Sequence, residues 1–118
     1  MSTPAPNFDP VDAQLAAYNA HDVAAFLACY TPDCAIDEAD GTRIMSGNAE
    51  MRARYQTLFA NSPGLHCEIV SRIRIGNYAI DEERITGRVP DLRRAVVIYR
   101  IDTTSSLISH VHFLREAG

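Results

Sequence analysis

The chain has 118 residues, enough for one domain with a single hydrophobic core and no length to spare for a second. Its 15 acidic residues outweigh 11 basic ones, and the arginines are scattered rather than clustered, which argues against a nucleic-acid partner. Cys29, Cys34 and Cys67 are an odd number with no C-x-x-C pair, so they support neither a disulfide framework nor a structural zinc site and read as small core residues.

Met1 to Pro6 offer neither a basic start nor an apolar run, and no later stretch approaches a membrane span. A cytoplasmic protein with no membrane partner is expected, with a tail over 1–8 and one domain over 9–118. Asp9 followed by Pro10 marks a helix start, because the aspartate caps free amides and proline is preorganised for the first turn. This helix is predicted to run from Pro10 to Ala20. Asp22 caps a second, from Val23 to Tyr30, with Phe26, Leu27 and Tyr30 on one face before Pro32. A short strand follows from Cys34 to Ala39, then an Asp40-Gly41 turn and a returning strand from Arg43 to Met45. Ser46-Gly47 opens a third helix, whose stripe of Met51, Tyr55, Leu58 and Phe59 is core, and Asn61 to Gly64 ends it.

The second half reads as sheet. Leu65, Cys67, Ile69, Ile73 and Ile75 alternate with polar residues before Gly76-Asn77 turns the chain. Tyr78 to Arg88 returns antiparallel, Arg93 to Ile101 forms a third long strand, and Leu107 to Arg115 a fourth. Three helices followed by long antiparallel strands is an α+β layout in which the helices cover one concave face of the sheet.

Three motifs, Tyr18-Asn19-Ala20-His21-Asp22-Val23, Tyr30-Thr31-Pro32-Asp33-Cys34 and Ser46-Gly47, occur in an order and spacing that resemble the nuclear transport factor 2-like superfamily, in its SnoaL-like and ketosteroid isomerase-like branch. The resemblance spans residues 10 to 115. It implies a cone in which three helices pack on a strongly curved, mainly antiparallel sheet around a largely apolar pocket. It also implies a homodimer paired through the outer sheet face, where Val96 and Ile98 add a second apolar surface to the third long strand.

In ketosteroid isomerase an acid on the first strand moves a proton, while a tyrosine and a protonated acid stabilise the enolate oxygen. The resemblance matches Glu38 to the first acid; the tyrosine position reads Gln14 and the second acid's position reads Val97. His110 and His112, two apart on the last strand, share a face, and the match to the family places that face, with Leu114, on the pocket. Histidine exchanges protons near neutral pH, so the pair is a candidate replacement for the missing oxyanion donors. Tyr18 and Tyr99 read as core aromatics, with a cavity-lining hydroxyl that holds a ligand oxygen as the alternative for either. On the second long strand Glu82 and Arg84 share the face of Tyr78 and Ile80, with Asp81 and Glu83 on the other; a solvated charge run and a polar pocket wall are both open.

His110-x-His112-x-x-x-Glu116 copies the spacing of a metal-binding cupin motif, but too few strands remain for a double-sheet jelly roll. Two imidazoles need further ligands, none is placed by the sequence, and neither a metal nor a cofactor is expected. The reading is a pocket for a small apolar carbonyl compound, with proton transfer by Glu38 and His110 or His112, helped by Gln14. A noncatalytic binding or assembly module stands beside it, because function lives in the site and not in the fold.

Overall fold

A computed structural model of the chain describes residues 8–115. Of the tail expected over 1–8, all but Phe8 lies outside these residues, as do 116–118 at the end of the expected domain, Glu116 among them.

Helix α1 (Pro10–Asn19) begins where the sequence places it. Asp9 Oδ1 accepts from the amides of Val11 and Asp12 at 3.0 and 3.4 Å, and Pro10 has no N–H to satisfy. Asp22 caps α2 (Val23–Leu27) by accepting from the Ala25 amide at 3.0 Å. That helix is shorter than predicted, because strand β1 (Tyr30–Glu38) already starts at Tyr30. Tyr30 lies opposite Ile108 of the last strand, and the Cys29 carbonyl accepts from the Ile108 amide at 2.9 Å. Strand pairing thus claims a segment whose apolar spacing alone suits a helix. Pro32 falls between Tyr30 and Ala35, where the register slips, so its missing donor removes no ladder bond there.

Strand β2 (Arg43–Ser46) returns after the Asp40-Gly41 turn, and α3 (Gly47–Asn61) follows directly. Strands β3 (His66–Ile75), β4 (Tyr78–Thr86), β5 (Arg94–Ile101) and β6 (Ile108–Arg115) form an antiparallel meander. The six-stranded sheet has the order β2-β1-β6-β5-β4-β3, with β1 and β6 parallel. This is the expected α+β architecture, three helices packed on one face of a mainly antiparallel sheet.

Two contacts lock the helices to the sheet. The Asn19 side chain accepts from the Cys67 amide at 2.7 Å and donates to the Cys67 carbonyl at 2.9 Å, which ties the end of α1 to β3. His21, at φ 56°, bonds the Leu65 carbonyl at 2.8 Å and stacks on Phe59. Behind them Phe26 meets Tyr55 at a ring-centroid distance of 4.4 Å, and Tyr18 meets Phe59 edge-on at 5.5 Å. Each such pair adds roughly 0.5–1.5 kcal/mol beyond burial, so this cluster holds the three helices as one layer. From the sheet, Ile36, Val97, Ile108 and Val111 are fully buried against it. At the far end of β4, Gly87 has φ 73° and a β-carbon there would sit 2.1 Å from the Gly64 carbonyl oxygen, so only glycine fits. Among the described residues no helix is long and apolar enough to cross a membrane.

Candidate functional site

Between the helices and the inner face of the sheet lies a cavity of about 460 Å³, within the range of small-molecule sites. Most of its wall is apolar, including Ile36, Met45, Leu58, Ile85 and Val111. Among the polar groups on its wall, Tyr30, Gln14, Tyr99 and Glu83 are connected to one another. Tyr30 donates its hydroxyl proton to Gln14 Oε1 at 3.3 Å, Gln14 Nε2 donates to the Tyr99 hydroxyl at 3.1 Å, and Tyr99 donates to Glu83 Oε2 at 3.4 Å. Gln14 also donates to the Val11 carbonyl at 3.1 Å, which anchors the chain of bonds to α1.

Two acids, Asp81 and Glu83, point inward from β4, and their surroundings give them different chemistry. Asp81 is fully buried and gripped by Arg72, with Nε to Oδ1 at 2.6 Å and Nη2 to Oδ2 at 2.9 Å; Arg72 is held in turn by Asp12. That is a closed structural pair. Glu83 is buried too, yet among the described residues no cation pairs with it. Burial first, and then the charge of Asp81, push its carboxyl up from 4.5 to about 7, against hydrogen bonds from Tyr99 and Cys67. An acid that titrates near neutrality in an apolar cavity is suited to take and return protons.

Burial also raises the tyrosine hydroxyls of Tyr18, Tyr30, Tyr55 and Tyr99 above their ordinary value, so all remain donors at neutral pH. Tyr18 and Tyr55 line the cavity, and among the described residues neither hydroxyl has a hydrogen-bond partner. Both are available to a ligand oxygen. Cys67 lines the wall as well, but burial pushes its thiol up, which removes it as a nucleophile near pH 7.

The sequence-predicted site residues separate into four places. Gln14, Tyr18 and Tyr99 line the cavity. Val97 lies on the same face of the sheet, fully buried in the core rather than on the cavity wall. Glu38 stands at the rim, where Arg115 Nε donates to its Oε1 at 3.0 Å and a second guanidinium nitrogen reaches the same oxygen. Arg115 lines the cavity, and so do Arg54 and Arg88.

His110, His112 and Leu114 are a correction: the expectation that they face the pocket fails. In the β5–β6 register Tyr99 lies opposite Val111 and Val97 opposite Phe113, so the inward residues of β6 are Val111, Phe113 and Arg115. The histidines and Leu114 lie on the outer face, because a one-residue change of parity moves every side chain of a strand to the other side. There they meet Asp37 of β1: His110 Nε2 is 2.7 Å from Asp37 Oδ2, and Arg43 bonds the other carboxylate oxygen. Glu82 and Arg84 share the face of Tyr78 and Ile80, which is also the outer one, and they pair with Arg94 and Glu68 rather than with each other.

Sequence reasoning passed over Glu83. The signal was the alternation Ala79, Asp81, Glu83, Ile85, continuous across the ladder with Tyr99, Val97 and Ala95. The first of these pairs sets alanine against tyrosine, the small-against-large packing of a core face.

The solved structures similar to this chain share its fold. An uncharacterised cystatin-fold protein from Novosphingobium aromaticivorans is 26% identical with a TM-score of 0.79, covering 90% of this chain and 95% of its own. A candidate ketosteroid isomerase from Kribbella flavida is 18% identical, TM-score 0.73, covering 92% and 76%. A candidate SnoaL-like polyketide cyclase from Shewanella denitrificans is 14% identical, TM-score 0.74, covering 91% and 88%. No curated protein matches the chain. The family model of the SnoaL-like domain matches residues 11–114, nearly the whole of the described cone, and the chain therefore belongs to the SnoaL-like family of the nuclear transport factor 2-like superfamily.

Proposed function

We propose that the cavity binds a small, largely apolar carbonyl compound and that Glu83 moves a proton on it without a cofactor. The observation that carries this reading is a buried acid with no ion-pair partner among the described residues, its carboxyl pushed up to about 7 in a largely apolar cavity that is also lined by Tyr18 and Tyr55, whose hydroxyls bond nothing else among those residues. As a carboxylate, Glu83 takes a proton from the carbon beside the carbonyl. The electron pair of the broken C–H bond forms the carbon–carbon double bond of the enolate as the carbonyl π pair moves onto oxygen, where Tyr18 or Tyr55 donates a hydrogen bond to the developing charge. Protonated Glu83 then returns the proton to the same or a conjugated carbon, so the reaction is an isomerisation or exchange with no net redox change. Glu38 suits the role of base less well, since two guanidinium N–H groups already occupy its carboxylate oxygen. It fits better as part of the rim.

A homodimer through the outer sheet face belongs to the same proposal. Ile73, Ile75, Tyr78 and Leu114 are exposed there, an apolar surface of the kind that marks an interface. Light scattering at several protein concentrations reads that state directly.

The chemistry is tested by incubating the protein with a panel of small apolar ketones and enones in deuterated water and following α-deuteration by NMR. The wild-type chain accelerates exchange in at least one of them, and Glu83→Gln, which keeps shape and binding, does not. Exchange in Glu83→Gln equal to wild type removes Glu83 as the base. Ketones that bind to both proteins with no exchange in either leave a binding module in place of an enzyme.

A further inference from the structure

We propose that Asp37, His110 and His112 on the outer face of the sheet form a site for one first-row transition-metal dication, with zinc the ion that suits the donor set best. The proposal does not depend on the reading of the cavity, which lies on the opposite face.

Two adjacent strands build the cluster. β6 presents His110 and His112 two positions apart on one face, and its parallel neighbour β1 sets Asp37 directly opposite His112. One donor atom from each of the three residues lies within 4.8 Å of the others, and the imidazole rings stand edge-on with centroids 4.2 Å apart. Zinc bonds of about 2.0–2.2 Å in a tetrahedron place donors roughly 3.4 Å from one another. The 2.7 Å between His110 Nε2 and Asp37 Oδ2 lies below that spacing and the 4.8 Å limit on the donor separations above it, so the donors stand within reach of a common ion.

The chemistry of the donors narrows the ion. Two imidazole nitrogens and one carboxylate oxygen suit zinc, cobalt, nickel and copper, whereas magnesium and calcium take oxygen ligands. Arg43 holds Asp37 Oδ1 and so leaves Oδ2 aimed at His110, the kind of outer partner that orients a ligating carboxylate. Ile98 lies opposite His112 on β5, an apolar neighbour that limits water on that side. Water fills the remaining positions. The sequence offered the His-x-His pair with Glu116, which lies outside the described residues; Asp37 comes from a strand 73 positions away and is joined by the fold alone.

The experiment is titration of chelator-treated, full-length protein with Co²⁺ and with Zn²⁺, read by the visible absorption of low-symmetry Co²⁺ and by native mass spectrometry. One ion per chain is expected, unaffected by excess Mg²⁺. His110→Ala, His112→Ala and Asp37→Asn each weaken binding by at least about tenfold, since even outer partners of a metal site commonly account for 10–100-fold. His66→Ala, elsewhere on the surface, leaves it unchanged. His112 makes no side-chain hydrogen bond among the described residues, so its alanine variant tests ligation with the least disturbance to folding. No bound ion in either readout, or equal affinity in wild type and His112→Ala, overturns the proposal.

Discussion

The Tyr99 hydroxyl donates to Glu83 Oε2 at 3.4 Å across the β4–β5 ladder and accepts from Gln14 at 3.1 Å, which joins the buried acid to the first helix through one phenol. Glu83 is thereby held in place with no ion-pair partner among the described residues, Arg72 acting on it only as a smaller effect than burial. Its proton affinity is therefore governed by burial, and that has consequences for stability as well as for chemistry.

Stability should fall as pH rises through the interval set by Glu83. Its carboxyl is raised from 4.5 to about 7 in the fold, so between these values the folded chain holds a proton that the unfolded chain has lost. Below about 4.5 both states are protonated and Glu83 contributes nothing; above about 7 the full penalty is present. On the scale of about 1.4 kcal/mol per pH unit, the penalty is on the order of 3 kcal/mol. Urea unfolding across this range should show Glu83→Gln gaining stability over wild type as pH rises, with parity between the two near pH 4.5.

Removing Arg72 should be far more harmful than removing a surface arginine. Arg72→Met leaves Asp81, which has no solvent exposure, as an unpaired buried charge, at about 3–5 kcal/mol. The double variant Arg72→Met with Asp81→Leu should recover most of that loss, because no charge is then stranded. Denaturant midpoints of the three proteins decide it, and a double variant no better than Arg72→Met would show that packing rather than charge holds this part of the sheet.

Asn19→Ala should destabilise by about 2 kcal/mol, since it removes two hydrogen bonds at 2.7 and 2.9 Å and leaves both backbone groups of Cys67 without these partners. Hydrogen exchange should quicken at the Cys67 amide first. Slow exchange at that amide in the variant would mean that β3 holds its place without α1.

Tyr55→Phe should lower kcat by about a hundredfold on any ketone that the wild type turns over, with little change in stability, if its hydroxyl serves the developing oxyanion. The hydroxyl bonds no side chain or backbone group among the described residues, so folding loses nothing by its removal. Unchanged kcat in Tyr55→Phe together with a loss in Tyr18→Phe would hand the role to Tyr18.

Most of the element order is legible in the amino-acid sequence. Asp9-Pro10 and Asp22 cap their helices through side-chain hydrogen bonds, and at the third Gly47 turns the chain at φ 82° while Glu50 accepts from the Ser46 amide; each signal acts within a few residues and starts a helix where it should. The Gly76-Asn77 turn is equally local, but the alternation expected through β3 holds only as far as Ile69: a bulge between Ile69 and Ser71 turns Ile73 and Ile75 to the outer face, where they are exposed, and brings Arg72 in to Asp81. The assignment of Tyr30 to a helix failed as well: its spacing satisfies a helix, but pairing with Ile108 decides the outcome.

The sites obeyed the same division. Residue types belong to the sequence, and so does parity where a strand runs without a bulge, so that His110 and His112 share a face, as do Asp81 and Glu83; in β3 the shift between Ile69 and Ser71 reverses it and turns Arg72 inward. Which face turns inward belongs to the tertiary structure. In β6, Val111 and Phe113 compete with Leu114 for the core, and the pairing of Val97 with Phe113 settles the matter in favour of the first two. That choice sends the histidines out to Asp37, while β4 turns Glu83 in to Tyr99. Local chemistry acts over a turn or a strand step and is written in neighbouring residues, whereas the inward face is selected by burial summed over the whole sheet.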